Sequence, residues 1–205
     1  MAIPQRIAVL ISGTGSNLRV LLDACKDPAY GSSVVAVLSD RPDAGGLEYA
    51  GQEGIPVLVV EFEDYPDRDA FTRAIVEGLR PIGVDLVCCL GFMRVLGPEM
   101  IRAYPSRIIN IHPALLPSFR GAHGARDALD WGVKVTGTTV HVMDEDVDHG
   151  PIIAQRAVPV LEGDTADELQ ERIKAEEHKL VPWVVRMFAE DRVTIEGRRV
   201  HIKEV

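Results

Sequence analysis

Two polar side chains stand two residues apart at the end of an apolar run near the middle of the chain. The segment reads Asn110-Ile111-His112-Pro113. Side chains two apart on a strand point to the same face, so Asn110 and His112 are predicted to lie side by side. An amide can donate to a developing oxyanion, and an imidazole can move a proton near neutral pH. The pair therefore predicts a catalytic site, and the alternative is a structural histidine at the end of a strand.

A second group of candidate residues is the acidic run 144–151, which reads Asp-Glu-Asp-Val-Asp-His-Gly-Pro. One interpretation is a solvated turn. A calcium-binding loop is excluded, because His149 occupies its glycine position and Gln155 its terminal glutamate position. The catalytic interpretation needs one carboxylate, Asp148, to orient His112. That charge is expected to raise the pKa of the imidazole and make it a better proton donor at about pH 7.

A glycine-rich segment, Ser12-Gly13-Thr14-Gly15-Ser16-Asn17-Leu18, follows the first apolar run. Glycines between a strand and a helix let the backbone amides of the helix N-terminus approach an anion. A Walker A motif is excluded, because no Lys-Ser/Thr pair follows. A dinucleotide site is disfavoured because Leu18 replaces the third glycine, although Asp40 stands where a ribose-binding acid would be. A single phosphate is favoured, and a tight turn capped by Ser16 or Asn17 is the remaining alternative.

Short apolar runs alternate with helical patterns along most of the chain. The predicted strands are 6–11, 34–39, 55–60, 84–90, 108–112, 136–142 and 152–160. The predicted helices are 17–24, 47–53, 67–79, 98–103, 126–131 and 165–188, and 193–202 is predicted to be a hairpin. The Pro/Gly-rich loop 113–124 has a length typical of functional loops. The alternation predicts an α/β fold, a mostly parallel twisted sheet with helices on both faces, whose strand ends form a ligand-binding edge.

Composition and charge narrow the classes of function. The 205 residues, 46% hydrophobic and 26% charged, predict a single domain over 1–205. The net charge of -9 disfavours a nucleic-acid partner, because phosphate binding favours basic surfaces. No apolar run reaches the roughly 20 residues of a membrane span, and the start lacks a secretory core, so a cytoplasmic protein without a membrane partner is expected. Cys25, Cys88 and Cys89 are expected to be reduced.

Four segments resemble the phosphoribosylglycinamide formyltransferase family, folate-dependent enzymes of purine biosynthesis. In chain order they are 12–18, Gly91-Phe92-Met93-Arg94-Val95-Leu96, Asn110-Ile111-His112-Pro113 with Leu115-Leu116-Pro117, and Asp148-His149-Gly150-Pro151. The Asn-x-His-Pro and Asp-x-Gly-Pro signals are shared by the wider folate formyltransferase superfamily, whereas the glycine-rich Ser-Asn turn is more particular to this family. The resemblance extends from the first predicted strand to Glu177-His178. It implies a Rossmann-like formyltransferase fold, with a phosphate-binding half at about 1–105 and a folate and catalytic half at about 106–205.

The resemblance also implies a reaction, the transfer of a formyl group from the cosubstrate 10-formyltetrahydrofolate to the amine of glycinamide ribonucleotide, without a metal. The implied catalytic residues are Asn110, His112 and Asp148. The implied substrate-binding residues are Gly15, Ser16 and Asn17 at the 5-phosphate, with Glu177 at the ribose or amine end. The implied folate-binding residues are Arg68, Met93, Arg94, Val95, Leu96 and Asn110. His149 stands where the family often has glycine, Arg120 stands where proline is expected, and a homodimer is left open.

Four other functions are distinguishable from this one. A methionyl-tRNA formyltransferase is expected to need a further RNA-binding domain and a basic surface. A formyltetrahydrofolate hydrolase is expected to carry an N-terminal regulatory domain, whereas here a strand begins by Arg6. An NAD-dependent oxidoreductase is disfavoured by Leu18. A non-catalytic nucleotide-binding module would leave Asn110, His112 and Asp148 without a role.

Overall fold

A computed structural model describes residues 4–204. Residues 1–3 and 205 lie outside the described residues. The prediction that the start of the chain lacks a secretory core concerns these first residues in part. Two compact units divide the chain, Met1–Asn110 and Ile111–Val205. The single domain over 1–205, with its two functional halves, stays a prediction.

The first unit alternates strands with helices. Its elements are β1 (Gln5–Ile11), α1 (Ser16–Cys25), β2 (Ser32–Ser39), α2 (Gly46–Gln52), β3 (Val57–Val59), α3 (Arg68–Leu79), β4 (Leu86–Cys89), α4 (Pro98–Ala103) and β5 (Ile108–His112), the last of which ends just beyond the unit. The strands are hydrogen-bonded in the order β3-β2-β1-β4-β5, and every one of these pairs is parallel. The carboxyl ends of these strands therefore share one edge.

Strand β1 has parallel neighbours on both sides, β2 and β4, and its sequence is apolar enough to be covered on both faces. Ile7, Ala8, Val9, Leu10 and Ile11 all have an exposed fraction of 0%. Full burial of an Ile or Leu side chain contributes about 1.5–3 kcal/mol, so this strand firmly anchors the residues that follow it. Strand β4 is equally buried, and its Cys88 and Cys89 are free thiols, as predicted. Burial raises the pKa of Cys89 to about 12.

Helix α3 begins and packs as its sequence predicts. The side chain of Asp67 accepts a hydrogen bond from the N–H of Ala70 at 2.7 Å and caps the helix. Phe71, Ile75 and Leu79 recur at helical spacing and are fully buried. A buried polar residue of α3 also contacts the segment after β4. Thr72 Oγ1 accepts a hydrogen bond from the N–H of Gly97 at 2.8 Å.

The second unit combines an antiparallel strand pair with a long helix. Its further elements are α5 (Gly124–Asp130), β6 (Val135–Val142), β7 (Ile152–Pro159), α6 (Ala166–Ala189), β8 (Val193–Glu196) and β9 (Arg199–Ile202). Strands β6 and β7 are antiparallel, and β8 and β9 form the predicted terminal hairpin. A small core joins α5, β7 and α6 through Ala125, Ala128, Val158, Leu169 and Ile173.

The start of α6 carries the predicted cap. Thr165 Oγ1 accepts the N–H of Glu168 at 3.2 Å, and Glu168 Oε2 accepts the N–H of Thr165 at 2.9 Å. This reciprocal pair is a capping box, which satisfies two amides that the first turn of a helix leaves without partners.

The predicted α/β class with a mostly parallel sheet is confirmed, and the differences are at element ends. Strand β3 is shorter than the predicted 55–60, because it pairs only with β2 and leaves Val57 and Val59 41% and 43% exposed. Helix α5 begins two residues before the predicted 126, where Gly124 packs closely against Pro113. Within residues 4–204, none of the helices combines the length and the apolar composition that a membrane span needs.

Candidate active site

His112 is the last residue of β5, and only 3% of its surface is exposed. Its Nε2 lies 2.7 Å from the carbonyl oxygen of Phe119, in the loop that follows β5. A carbonyl oxygen only accepts, so Nε2 carries the proton in this contact. Its Nδ1 lies 3.3 Å from Oδ2 of Asp148. A second proton at Nδ1 therefore produces an imidazolium that pairs with Asp148, and two of the three predicted catalytic side chains lie together.

Asp148 lies in the loop between β6 and β7, with a φ of 48° that is uncommon for a residue with a side chain. Its side chain is 9% exposed, and Oδ2 also accepts the N–H of Gly121 at 2.8 Å. Burial raises the pKa of this carboxyl. The hydrogen bonds from His141 and Gly121, with the nearby charge of His112, lower it by more, so the net pKa lies below 3.8. Asp148 is therefore charged at neutral pH.

A second buried histidine, His141 on β6, faces the same carboxylate and is not among the residues predicted from the sequence. Its Nδ1 lies 3.0 Å from the carbonyl oxygen of Val142, and its Nε2 lies 3.6 Å from Oδ1 of Asp148. Only 2% of His141 is exposed. The signal in the sequence is a histidine inside an apolar strand, where an imidazole without a polar partner would be costly.

The pKa of His112 is set by two opposing effects. Burial lowers it below 6.5, whereas the charge of Asp148 and the carbonyl of Phe119 raise it by less, and His141 lowers it slightly. The expectation that Asp148 raises the pKa is correct for that residue's own contribution and wrong for the net shift. Loss of hydration of the buried ring outweighs one ion pair. The resting imidazole is therefore mostly neutral at about pH 7 and protonated at Nε2.

Asn110 lies on β5 with one residue between it and His112, and it is half-buried. Its backbone lies opposite Cys89 of β4 in the parallel register. Residues two apart on a strand project from the same face, so the strand itself sets the relation between the amide and the imidazole.

The glycine-rich turn leads from β1 directly into α1. Gly15 has a φ of 71°, and a Cβ on it would lie 2.6 Å from the Cα of Gly46, so both conformation and close packing require glycine here. The N–H of Gly46 donates to the carbonyl of Gly13 at 3.0 Å, which ties the turn to the start of α2. Helix α1 begins at Ser16 with no side-chain cap, so the capping by Ser16 or Asn17 that one alternative predicted is not observed. The first turn of α1 therefore presents amides suited to an anion.

A buried ion pair joins the end of β2 to the segment after β4. Arg94 Nε donates to Oδ2 of Asp40 at 2.8 Å, and its Nη2 donates to Glu63 at 3.0 Å. The other oxygen of Asp40 accepts the hydroxyl of Ser12 at 2.5 Å. Ser12 Oγ in turn accepts the N–H of Met93 at 2.8 Å. The carboxylate that would bind a ribose is thus occupied within the protein, which removes the feature that favoured a dinucleotide.

The predicted folate-binding residues cluster in the first unit around the segment 91–97. Met93 and Val95 are 61% and 48% exposed, and two large apolar side chains so close together in the chain form an exposed apolar patch. Leu96, the next residue, is buried. Arg68 is the first residue of α3, donates to Asp69 at 3.2 Å, and comes within 3.6 Å of the position that a Cβ on Gly97 would take. The structure therefore brings Arg68 to the end of this segment.

Glu177 lies on the buried stripe of α6, four residues after Ile173, and is itself only 5% exposed. A carboxylate at such a position is costly unless it has a polar partner, which marks it as a functional or structural site. Among residues 4–204, no group of three or more His, Cys, Asp or Glu side chains is arranged to hold a metal ion.

Comparisons with known proteins show which family the chain resembles. The model of the formyl transferase family matches residues 5–185. The chain is 48% identical over 195 residues to a phosphoribosylglycinamide formyltransferase of Mycobacterium tuberculosis, a match that covers 95% of this chain and 90% of that protein. It is 46% identical over 190 residues to the bovine trifunctional purine biosynthetic protein adenosine-3, a match that covers 93% of this chain and 19% of that longer protein.

The fold agrees as closely as the sequence. A crystal structure of glycinamide ribonucleotide transformylase 1 from Symbiobacterium toebii superposes with a TM-score of 0.96 and is 51% identical, covering 100% of this chain and 96% of that one. The predicted family and the predicted class of enzyme, a folate-dependent formyltransferase, are confirmed. The chain belongs to the formyl transferase family.

Proposed function

We propose that the chain transfers the formyl group of 10-formyltetrahydrofolate to the amine of glycinamide ribonucleotide, a step of purine biosynthesis. The observation that carries the proposal is the contact between buried His112 and Asp148, at the end of a strand that also carries Asn110. The names of the similar proteins from Mycobacterium tuberculosis and Symbiobacterium toebii support the choice of substrates.

In the proposed reaction, the substrate amine attacks the formyl carbon and an oxyanion develops. The Asn110 amide and the His112 Nε2–H would stabilise that charge, and loss of one such donor costs about 3–4 kcal/mol in the transition state. The C–N bond to the folate then breaks, and His112 supplies a proton from Nε2 to the leaving nitrogen. Because the resting ring is neutral, it first takes up a second proton at Nδ1 from solvent, and Asp148 stabilises the resulting imidazolium. After Nε2 has given its proton to the leaving nitrogen, the ring is neutral with its proton at Nδ1. The attacking amine releases one proton to solvent, which balances the proton taken up, and exchange with solvent restores the resting Nε2–H tautomer.

The contact of His112 with Phe119 bears on this step. Nε2–H donates to the Phe119 carbonyl at 2.7 Å, so the same proton is not directed at a substrate in this arrangement. In the proposed reaction the carbonyl of Phe119 moves aside when substrates bind. Phe119 belongs to the loop that the sequence indicates as functional, and its φ of 52° is again in the left-handed region.

The substrates are assigned to residues by the features of each segment. Gly15, Ser16 and Asn17 would hold the 5-phosphate with backbone amides at the start of α1, because the positive end of the helix dipole favours an anion. Glu177, on the buried stripe of α6, would bind the ribose or amine end of the nucleotide.

The folate would be bound by Arg68, Met93, Arg94, Val95, Leu96 and Asn110. The guanidinium of Arg94 is engaged by Asp40 and Glu63, so its folate contact would use the backbone. The exposed side chains of Met93 and Val95 would cover the apolar part of the ligand. Cytoplasmic localisation and the lack of a nucleic-acid partner stay predictions, and a homodimer stays open.

The test is a spectrophotometric assay of 10-formyltetrahydrofolate consumption with and without glycinamide ribonucleotide. Consumption that requires the nucleotide supports the proposal. Formate release without the nucleotide would indicate a hydrolase, and binding of both compounds without turnover would indicate a non-catalytic module. Either of these results contradicts the proposed transfer.

A further inference from the structure

The loop that carries Asp148 is joined to the turn of the β8–β9 hairpin. Arg198, in that turn, donates from Nη2 to the carbonyl oxygen of His149 at 2.7 Å. Its Nη1 lies 3.2 Å from Nε2 of the same histidine. One guanidinium therefore holds both the backbone and the ring of the residue that directly follows Asp148.

The ring of His149 is held from its other side as well. Its Nδ1 lies 2.7 Å from Oδ2 of Asp144, and Asp146 lies 3.8 Å away. A neutral imidazole satisfies both contacts, because Nδ1–H donates to the Asp144 carboxylate while the Nε2 lone pair accepts from Arg198. His149 thus bridges an acid of its own loop and a base of the hairpin.

The ends of the loop are closed independently of this bridge. The N–H of Val142 donates to the carbonyl of Pro151 at 2.9 Å. A Cβ on Gly150 would lie 1.8 Å from the carbonyl oxygen of Val142, so the backbones pack without room for a side chain. Between these closed ends, Asp148 has a positive φ, a conformation that persists only where its surroundings impose it.

We propose that Arg198 is a positioning residue which, through His149, holds the Asp148 carboxylate at its 3.3 Å contact with His112. This inference rests on the proposed function for its effect on turnover, but its structural consequence can be measured without substrate. Charge-assisted hydrogen bonds are the strongest that a surface turn can offer, and a bidentate guanidinium adds a fixed direction. The bridge therefore limits the positions that Asp148 can adopt.

The test compares Arg198→Gln with Arg199→Gln in the full chain. Arg199 is an exposed residue of the same hairpin, so its replacement removes the same charge one position further along. We expect Arg198→Gln to lower kcat about tenfold, because small displacements of a catalytic group are costly, with little change in KM. Arg199→Gln is expected to resemble the wild type, and Arg198→Lys, which can still donate to the carbonyl of His149, is expected to recover part of the loss.

A second readout does not depend on turnover. The His112 titration, followed by NMR in the absence of substrate, is expected to shift in Arg198→Gln towards the value in Asp148→Asn, because the carboxylate no longer keeps its contact. A His112 titration and a kcat that are equal in Arg198→Gln and Arg199→Gln would overturn the positioning role. If the wild-type chain shows no formyl transfer, the proposed function fails while the titration still tests the bridge.

Discussion

Replacement of Arg94 by glutamine tests whether the ion pair between Arg94 and Asp40 stabilises the folded protein. The Asp40 side chain is 2% exposed and faces the Arg94 guanidinium at 2.8 Å, so the change leaves a buried carboxylate without its cation. Removing one partner of a buried pair costs about 3–5 kcal/mol. Arg94 is itself 34% exposed, and Ser12 still donates to Asp40, so we expect a smaller cost than for a fully buried pair, about 2–3 kcal/mol. At about 2–4 °C per kcal/mol, Tm should fall by roughly 4–12 °C.

The assay is thermal and urea unfolding, combined with a double-mutant cycle that includes Asp40→Asn. The double variant is expected to be more stable than the sum of the single changes predicts, because the amide no longer needs a cation. Arg41→Gln is the matched control, since Arg41 and Asp43 form a pair in which both side chains are more than half exposed, and its Tm should not change measurably. A Tm of Arg94→Gln equal to that of Arg41→Gln, or strict additivity with Asp40→Asn, would show that the Arg94–Asp40 pair does not stabilise the fold.

Two further predictions concern the binding turn and the acidic partner. Gly15→Ala should weaken the binding of glycinamide ribonucleotide, measured by calorimetry, because its Cβ would lie 2.6 Å from the Cα of Gly46. Gly13→Ala is the control and should bind normally, because its Cβ would meet nothing within 4 Å. Equal affinities of the two variants would contradict this prediction. The lowered pKa of Asp148 stabilises the fold above 3.8, and this contribution is lost as pH falls through the native pKa. Urea unfolding of wild type and Asp148→Asn should therefore differ by a constant amount near neutrality and converge in acid, and a difference that grows in acid would be inconsistent with an ionised Asp148.

The strands and helices were largely predictable because each follows from a local pattern. The apolar run of β1, the helical spacing of Phe71 and Ile75, and the Thr165 cap all act within a few residues. Strand β3 was harder to predict, because its length depends on how much of β2 remains for pairing at the edge.

The candidate site could be predicted only in part, because its contacts link distant segments. The sequence indicates Asn110 and His112 through their spacing on one strand. It does not reveal that His141 shares the carboxylate of Asp148, since that depends on the course of the loop after β6. The sign of the His112 pKa shift also depends on burial, a tertiary property.

The partner of Arg94 illustrates the same limit. Arg94 and Asp40 are 54 residues apart in the chain, and only the parallel order of β2, β1 and β4 explains how their segments meet. The resemblance to a family implies a folate contact for Arg94, whereas in the structure its guanidinium forms an ion pair with Asp40.

The rate of formyl transfer by His112→Asn, measured in a single turnover with both substrates bound, shows whether His112 is the proton donor of the reaction. Binding of each substrate and Tm are measured in parallel, so that loss of chemistry is separated from loss of structure. We expect a rate lower by about 10²–10⁴, the usual contribution of a general acid, with binding and folding retained. A single-turnover rate close to that of the wild type would contradict it.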